Sequence, residues 1–372
     1  TVPESVEYGG CTYRVTEASF SSNGFVERVV LPETITVIPS NAFYNCADLT
    51  SVEMPGVTTI EYNAFLNCTS LTDITLPDGV TTMGQSVFKG CTSLKYADLS
   101  QSSLTEMGSS VFQGCTALET VKLPDTLTSI PSYTFENCSS LTQVDMGDQV
   151  QTISWYAFNN CASLEQITLS DALTDIELRA FDGCTGLRSV DFGESLVSIG
   201  DYAFEDSAQL TELIFPDTLT EWGFLPFWLS KSLERVYIPG SLKTVPYDVL
   251  SYQPNLTEVT LGEGITEIPG DTFRNDTALV RITLPQSLRT IDWQAFMGCS
   301  ALEEIVIPPN VTSIGDRAFQ NCSSLTRVDI QGQNVAIGDS AFYMLQALEE
   351  AAVGRPGGEI TIGRRAFYNS HA

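Results

Sequence analysis

Apolar and polar positions follow one order over and over along this chain. The stretch Leu71-Thr72-Asp73-Ile74-Thr75-Leu76 ends in strict alternation, a period of two that predicts a short strand. Ile74 and Leu76 then face inward, and Asp73 and Thr75 face out. Pro77, or a glycine at Gly147, Gly193 and Gly262, ends the strand, and pairs such as Asp78-Gly79, Asp125-Thr126 and Asp217-Thr218 supply turn residues. The following half, Val80-x-x-Met83-x-x-x-Val87-Phe88-x-x-Cys91, returns apolar residues at steps of three and four. That spacing predicts an extended piece followed by one helical turn around Val87-Phe88. Asp201, Asp316, Asp339 and Ser132 stand just ahead of equivalent turns, where their side chains are expected to cap free amides.

The same order recurs with a nearly fixed period. Phe43, Phe65, Phe88, Phe112, Phe135, Phe158, Phe181, Phe204, Phe227, Leu250, Phe273, Phe296, Phe319, Phe342 and Phe367 occupy equivalent places, 23 residues apart except for steps of 22, 24 and 25. A period between about 20 and 50 residues marks a repeat protein, in which each repeat is one unit stacked on the next. Twenty-three residues leave no room for a full helix. The expected architecture is therefore a parallel sheet on one side and short turns on the other, over about fifteen coils.

Two consecutive units read Cys46-x-x-Leu49-x-x-Val52-x-Met54-Pro55-x-Val57-x-x-Ile60-x-x-x-Ala64-Phe65 and Cys68-x-x-Leu71-x-x-Ile74-x-Leu76-Pro77-x-x-Val80-x-x-Met83-x-x-x-Val87-Phe88. This pattern resembles the BspA-like, or Treponema pallidum-type, leucine-rich repeat family, from about Val26 to Phe367. The resemblance implies a leucine-rich-repeat solenoid, a right-handed superhelix. In it the parallel β-sheet lines the concave face, with short helical or 3-10 turns and extended segments on the convex face. It also implies a secreted or cell-surface protein, of the kind associated with bacteria of mouth and gut and with mucosal protists. The family is linked to adhesion to host proteins and cells and brings no shared catalytic motif.

Residues 1–25 fall outside the period and are expected to form an N-terminal cap, residues 26–372 the solenoid. Within the cap, Tyr8-Gly9-Gly10-Cys11-Thr12-Tyr13-Arg14-Val15 reads as a turn and strand covering an otherwise exposed pairing edge. The chain opens at Thr1-Val2-Pro3 without an initiator Met, as a trimmed secreted protein would. At the other end, Ile360-Thr361-Ile362-Gly363 and Ala366-Phe367 begin a repeat that stops at Ala372. Either the chain is cut there or the last coil is its own incomplete cap.

Charge narrows the range of partners. Forty-six acidic and 18 basic residues give a formal charge of −28. Such a surface repels nucleic acid and anionic lipid, whose binding depends on Lys and Arg; it suits cationic partners or Ca²⁺. No apolar run approaches the ~18 residues of a membrane span.

Nine of ten cysteines fall in one column, three residues after the Phe, with Ser207, Ser230 and Ser370 at the same place in other coils. Their spacing is the repeat's own and is no CxxC metal arrangement. They are expected to be reduced, buried thiols that pack as small hydrophobes. The sole histidine is His371, which leaves no His-based triad, His-ligated metal or Cys–His pair. No catalytic residue, metal or cofactor is expected. A carboxylate-dependent glycoside hydrolase is the remaining enzymatic alternative, because 46 acids bring some pairs together by chance.

The outward sheet positions carry the candidate chemistry. One column ends Glu212, Arg235, Glu258, Arg281, Glu304, Arg327, Glu350, alternating in sign without a fault. It reads as a recognition strip or as a surface ion-pair ladder, each pair of which contributes ~0–1 kcal/mol. The next column places Glu53, Asp98, Asp145 and Asp191 on alternate coils, roughly 10 Å apart, too far to share one Ca²⁺. Ile214 and Tyr237 interrupt it.

That interruption falls in residues 215–252, where Phe215, Trp222, Phe224, Phe227, Trp228, Tyr237, Tyr247 and Tyr252 concentrate and the Cys column lapses. Aromatic residues anchor interfaces, so Phe224, Trp228 and Tyr237, which the repeat does not require, are candidates for an exposed contact patch, and the candidate partner site is Ile214, Arg235 and Tyr237 on the sheet, with Trp228 as a further candidate. The expected partner is a protein or a glycan, on a host surface or in its matrix. The alternatives are a passive cell-surface spacer and self-association through residues 215–252.

Overall fold

A computed structural model describes residues 1–8, 11–245 and 250–370; Tyr247, His371 and the Gly9-Gly10 pair of the N-terminal turn lie outside the described residues. The chain divides into two compact units, Thr1–Ser207 and Ala208–Ala372. Each is a solenoid of parallel strands.

In the first unit one row of strands runs Arg28–Val30, Ser51–Glu53, Asp73–Thr75, Tyr96–Asp98, Thr120–Lys122, Gln143–Asp145, Gln166–Thr168 and Ser189–Asp191. Equivalent residues stand side by side, as Ile74 with Ala97 and Val121 with Val144. These are the strands that alternation predicts: Ile74 is buried, while Asp73 and Thr75 are exposed. The second unit repeats the arrangement from Glu212–Ile214 to Glu350–Val353.

A second row, of two- and three-residue strands, runs through the other half of each coil. It includes Thr59–Ile60, Thr152–Ile153 and Asp175–Ile176 in the first unit and Thr290–Ile291 and Ser313–Ile314 in the second. This is the predicted extended piece, paired parallel to its neighbours in register. Its apolar member, such as Ile153 or Ile291, is wholly buried.

The turn that follows has a specific backbone. Residues two before and two after each Phe take positive φ, as Asn63 (57°) and Asn67 (59°) do around Phe65. Cβ crowding disfavours that region for most residues; Asn tolerates it and Gly meets no penalty. The later position is accordingly Asn45, Asn67, Asn137, Asn160, Asn275 and Asn321, or Gly90, Gly114, Gly183 and Gly298. Alternate amides divide the work. Asn41, Phe43 and Asn45 donate to the carbonyls of Tyr62, Ala64 and Leu66 in the next coil, while Ala42, Tyr44 and Cys46 close turns three residues back. Each amide from Asn41 to Cys46 therefore finds a partner without a helix. Among the described residues the one helical element is the 3-10 turn Gly240–Leu242.

Phenylalanine rings fill the space between the two rows. In the first unit, rings from Phe43 to Phe204 stack with centroids 4.8–5.6 Å apart. In the second, Phe273 to Phe367 stack at 4.9–5.1 Å. Phe158 and Ile167 are both buried, as the alternation requires. Phe20 adds a rung ahead of the periodic series, stacking on Phe43 at 5.4 Å. Before it, Ser5–Tyr8 and Cys11–Arg14 pair antiparallel, and the Val2 amide donates to Val30 at the edge of the first strand row.

The cysteine column has a hydrogen-bonding reason. Cys68 Sγ donates to the Phe43 carbonyl at 3.1 Å, Cys91 to Phe65 at 3.2 Å, and Cys299 to Phe273 at 3.0 Å. Ser370 does the same to Phe342 at 2.7 Å. In these coils the column holds a small buried donor, a role a thiol fills with little desolvation cost, while Leu345 and Asp276 stand at the same place in two others. The nine column cysteines are free and buried, and burial pushes the Cys184 and Cys322 thiols up to about 12. A thiol reagent is expected to leave these nine untouched in the folded protein and to modify them in denaturant. Equal labelling in both conditions would show the column to be open.

The acids ahead of the turns cap between coils. Asp316 Oδ1 accepts the Asp339 amide at 2.7 Å, and Asp339 Oδ1 accepts the Arg364 amide at 2.6 Å. Each carboxylate thus serves the coil after its own.

Candidate functional site

Strand pairing in the second unit sets the outward columns side by side. Glu212, Arg235, Glu258 and Arg281 are successive register partners, and so are Glu304, Arg327 and Glu350. Arg235 Nε lies 3.0 Å from Glu212 Oε1, and Arg327 Nε lies 3.6 Å from Glu350 Oε2. All four side chains are well exposed, so each pair stabilises by only ~0–1 kcal/mol. In the first unit Lys122 stands in register between Asp98 and Asp145, 4.0 Å from the Asp98 carboxylate. Among the described residues no three His, Cys, Asp or Glu side chains converge in a metal-binding group.

The apolar interruption is placed where the pattern predicts. Ile214 and Tyr237 are register partners on adjacent strands, and Ile214 is 60% exposed. Arg235, two residues before Tyr237, shares its outward face, since Val236 and Ile238 point into the core. The Tyr237 hydroxyl donates to Asp217 Oδ1 at 2.9 Å. Burial, and then that bond, raise its pKa above the ordinary tyrosine value. The ring is thereby held in one orientation. Further along the same column Val306 is also exposed, an apolar residue that the strand Glu304–Ile307 makes legible by the same alternation. Asp329 follows and binds Arg355 through both oxygens at 2.8 and 3.1 Å.

Trp228 belongs elsewhere. It sits in the turn after Phe227, off the strand row, and lines a groove of about 880 Å³ with Trp222, Phe224 and Tyr252; none of Ile214, Arg235 and Tyr237 reaches that groove. The Lys231 ammonium lies 6.0 Å from the centre of the Trp228 ring and donates to the Tyr252 carbonyl at 3.4 Å. Four candidate residues thus form two surfaces, a trio on the strands and a tryptophan in a groove on the turn side. The aromatic excess of the segment signals both, and only the coil register separates them.

The family model described as BspA type leucine rich repeat region, in 6 copies, matches residues 13–142, 151–279 and 266–372. Among solved structures, a leucine-rich repeat protein from Bacteroides ovatus is 26% identical, with a TM-score of 0.66, over 94% of this chain and 93% of its own. A leucine rich cell surface protein from Faecalibacterium prausnitzii is 24% identical, with a TM-score of 0.45, over 88% of this chain and 95% of its own. No curated protein matches the chain in sequence.

Proposed function

Since this chain belongs to the BspA-type leucine-rich repeat family, a family of protein-binding repeat scaffolds, we propose that it is a non-enzymatic adhesive protein, secreted or held at the cell surface. Its contact surface is the strand row of the second unit, centred on Ile214, Arg235 and Tyr237. The observation that carries this reading is an exposed Ile214 paired in register with a Tyr237 anchored by Asp217, on a row whose neighbours are charged or polar. Tyrosine and arginine are the residue types that dominate binding energy at interfaces. Both here stand on strands fixed by neighbouring coils, so little ordering cost accompanies binding.

Immobilised extracellular-matrix proteins and mucosal epithelial cells are the probes. Tyr237→Ala combined with Arg235→Ala is expected to weaken capture about 10- to 30-fold, the loss typical of central interface residues. The thermal midpoint should stay almost unchanged, because both side chains are at least partly exposed and the Arg235–Glu212 pair adds little. Unaltered capture removes this surface from the reading. A large fall in the midpoint assigns the pair a structural role, and binding to no probe leaves a passive spacer.

A further inference from the structure

The groove on the turn side of the second unit is built against the grain of the repeat. In regular coils the inward residue of the second strand row is an aliphatic side chain wholly or almost wholly buried, such as Ile268 or Ile291. Trp222 takes that place in Glu221–Trp222 and stays half-exposed, its ring edge-on to Phe215 at 5.1 Å and tilted against Phe227 at 5.7 Å. The groove lies beside this ring.

The backbone adds a second sign. The positive-φ position after the Phe, most often Asn or Gly in other coils, is here Leu229 (66°) and in the next coil Tyr252 (59°), and the position before Phe227 is Leu225 (46°). A leucine in that region is strained by about 1–2 kcal/mol. Stability alone would replace these residues with Asn or Gly, and exposure would disfavour Leu229 and Tyr252, which are 45% and 54% exposed. Strain and exposed apolar surface together mark a contact site.

Charge selects the class of ligand. On a chain with a formal charge of −28, the groove is lined, among the described residues, without an Asp, Glu, Lys or Arg, and the nearest charge shown is the Lys231 ammonium 6.0 Å from the centre of the Trp228 ring. The four aromatic side chains Trp222, Phe224, Trp228 and Tyr252 make its walls, and Thr220, Thr244 and Ser251 bring hydroxyls. A volume of about 880 Å³ lies within the roughly 300–1,000 Å³ of ligand-sized sites. A neutral sugar would bury many hydroxyls, and among the described residues the lining offers no carboxylate or carboxamide to pair with them, so each would be desolvated at a cost. An extended proline-rich segment fits better. Its rings stack on aromatic walls, it lacks most backbone N–H groups, and its carbonyls have no internal partners and accept from hydroxyls.

We propose that this groove binds a neutral, proline-rich peptide segment in the polyproline II conformation, at a site separate from the strand-row surface. The proposal does not depend on the adhesive reading of that surface.

The test titrates the intact chain with an uncharged nonapeptide of six prolines, with the same peptide after Pro→Gly replacement, and with neutral cello- and manno-oligosaccharides, following tryptophan fluorescence and calorimetry. The proline peptide is expected to bind at least ten-fold more tightly than its glycine counterpart, which lacks the preformed helix. Trp228→Ala and, separately, Phe224→Ser should each weaken it ten-fold or more; Tyr237→Ala should leave it unchanged. Both groove side chains are 45% or more exposed, and unchanged thermal midpoints verify that the variants fold. Oligosaccharide binding in place of the peptide overturns the proposal. So does self-association seen by light scattering and lost in the same two variants. Peptide binding that ignores both substitutions, or no binding, also overturns it.

Discussion

Replacing Phe158 by Ala is expected to lower the unfolding free energy by about 3–5 kcal/mol, the largest single-residue effect in the first unit. The Phe158 ring is wholly buried and lies 5.0 Å from Phe135 and 4.9 Å from Phe181, parallel to the latter within 1°. Truncation removes two ring contacts, worth about 0.5–1.5 kcal/mol each, and opens a cavity that neighbouring coils cannot close. Their backbones are tied across the gap: the Phe135 amide donates to Ala157, and Phe158 to Ala180. In a stack whose units contact only their neighbours, an interior defect weakens the interfaces on both sides. Phe20→Ala, at the partly exposed end of the same ladder with one ring neighbour shown, should cost clearly less. Trp155→Ala, three residues before Phe158 but 53% exposed, should stay within about 0.5 kcal/mol of the parent. Urea titration of the three variants checks the order. A Phe158→Ala chain as stable as Trp155→Ala would mean that the ladder does not carry the core.

This ladder is legible in the sequence because burial is periodic and selects residue type strongly. A wholly buried ring admits few substitutes, so Phe43 through Phe204 recur without exception. The columns of Leu49, Leu71 and Cys68 are legible for the same reason. The left-handed positions are harder to read, because they constrain the backbone and not the side chain. Asn and Gly suit them, yet Tyr133, Tyr156, Arg179 and Tyr202 adopt the same φ at the position before Phe, so no single residue type marks the column. The aromatic residues there gain from stacking along the coil: Tyr133 lies on Tyr156 at 5.3 Å, and Arg179 over the Tyr202 ring at 4.8 Å.

The candidate surface divides along similar lines. A strand of period two states which side chains face outward, so Ile214, Arg235 and Tyr237 can be assigned to one surface from their order alone. Trp228 cannot be placed that way. The residues that line the groove with it, Trp222 and Tyr252, are 6 and 24 positions away, and coil stacking brings them together. The signal available in the sequence is the replacement of Asn or Gly by Leu229 and Tyr252 in two successive coils.

Asp276 is the one carboxylate in the thiol column, and its replacement by Asn is expected to stabilise the protein at pH 7 by about 1–3 kcal/mol, the cost of a buried polar atom left unpaired. The side chain is wholly buried. Its Oδ1 accepts the Gln253 amide at 2.8 Å, whereas its Oδ2 has no partner. At this place the column cysteines and Ser370 donate to the carbonyl of the Phe one coil back, a position that is Leu250 here, and an ionised carboxylate has no proton to give. Burial raises the Asp276 pKa well above the ordinary carboxylate range, with the Gln253 amide and the Lys231 ammonium pulling the other way. Cys299 in the next coil is itself held neutral by burial. The folded chain therefore keeps a proton on Asp276 at pH values where the unfolded chain, with an aspartate near ~3.9, has lost it. Stability from this group is fully present below that value and falls as pH rises toward the folded value, because the native state binds the extra proton. Asn donates at every pH through its amide nitrogen and still accepts from Gln253. The gain of Asp276→Asn over the parent should thus be small at pH 4 and grow toward pH 8, while the remaining acids titrate alike in both chains and cancel. Urea midpoints of the pair at four or five pH values measure the difference. Parallel profiles would show that Asp276 has the same proton affinity folded and unfolded, and that the column tolerates an acceptor where its cysteines donate.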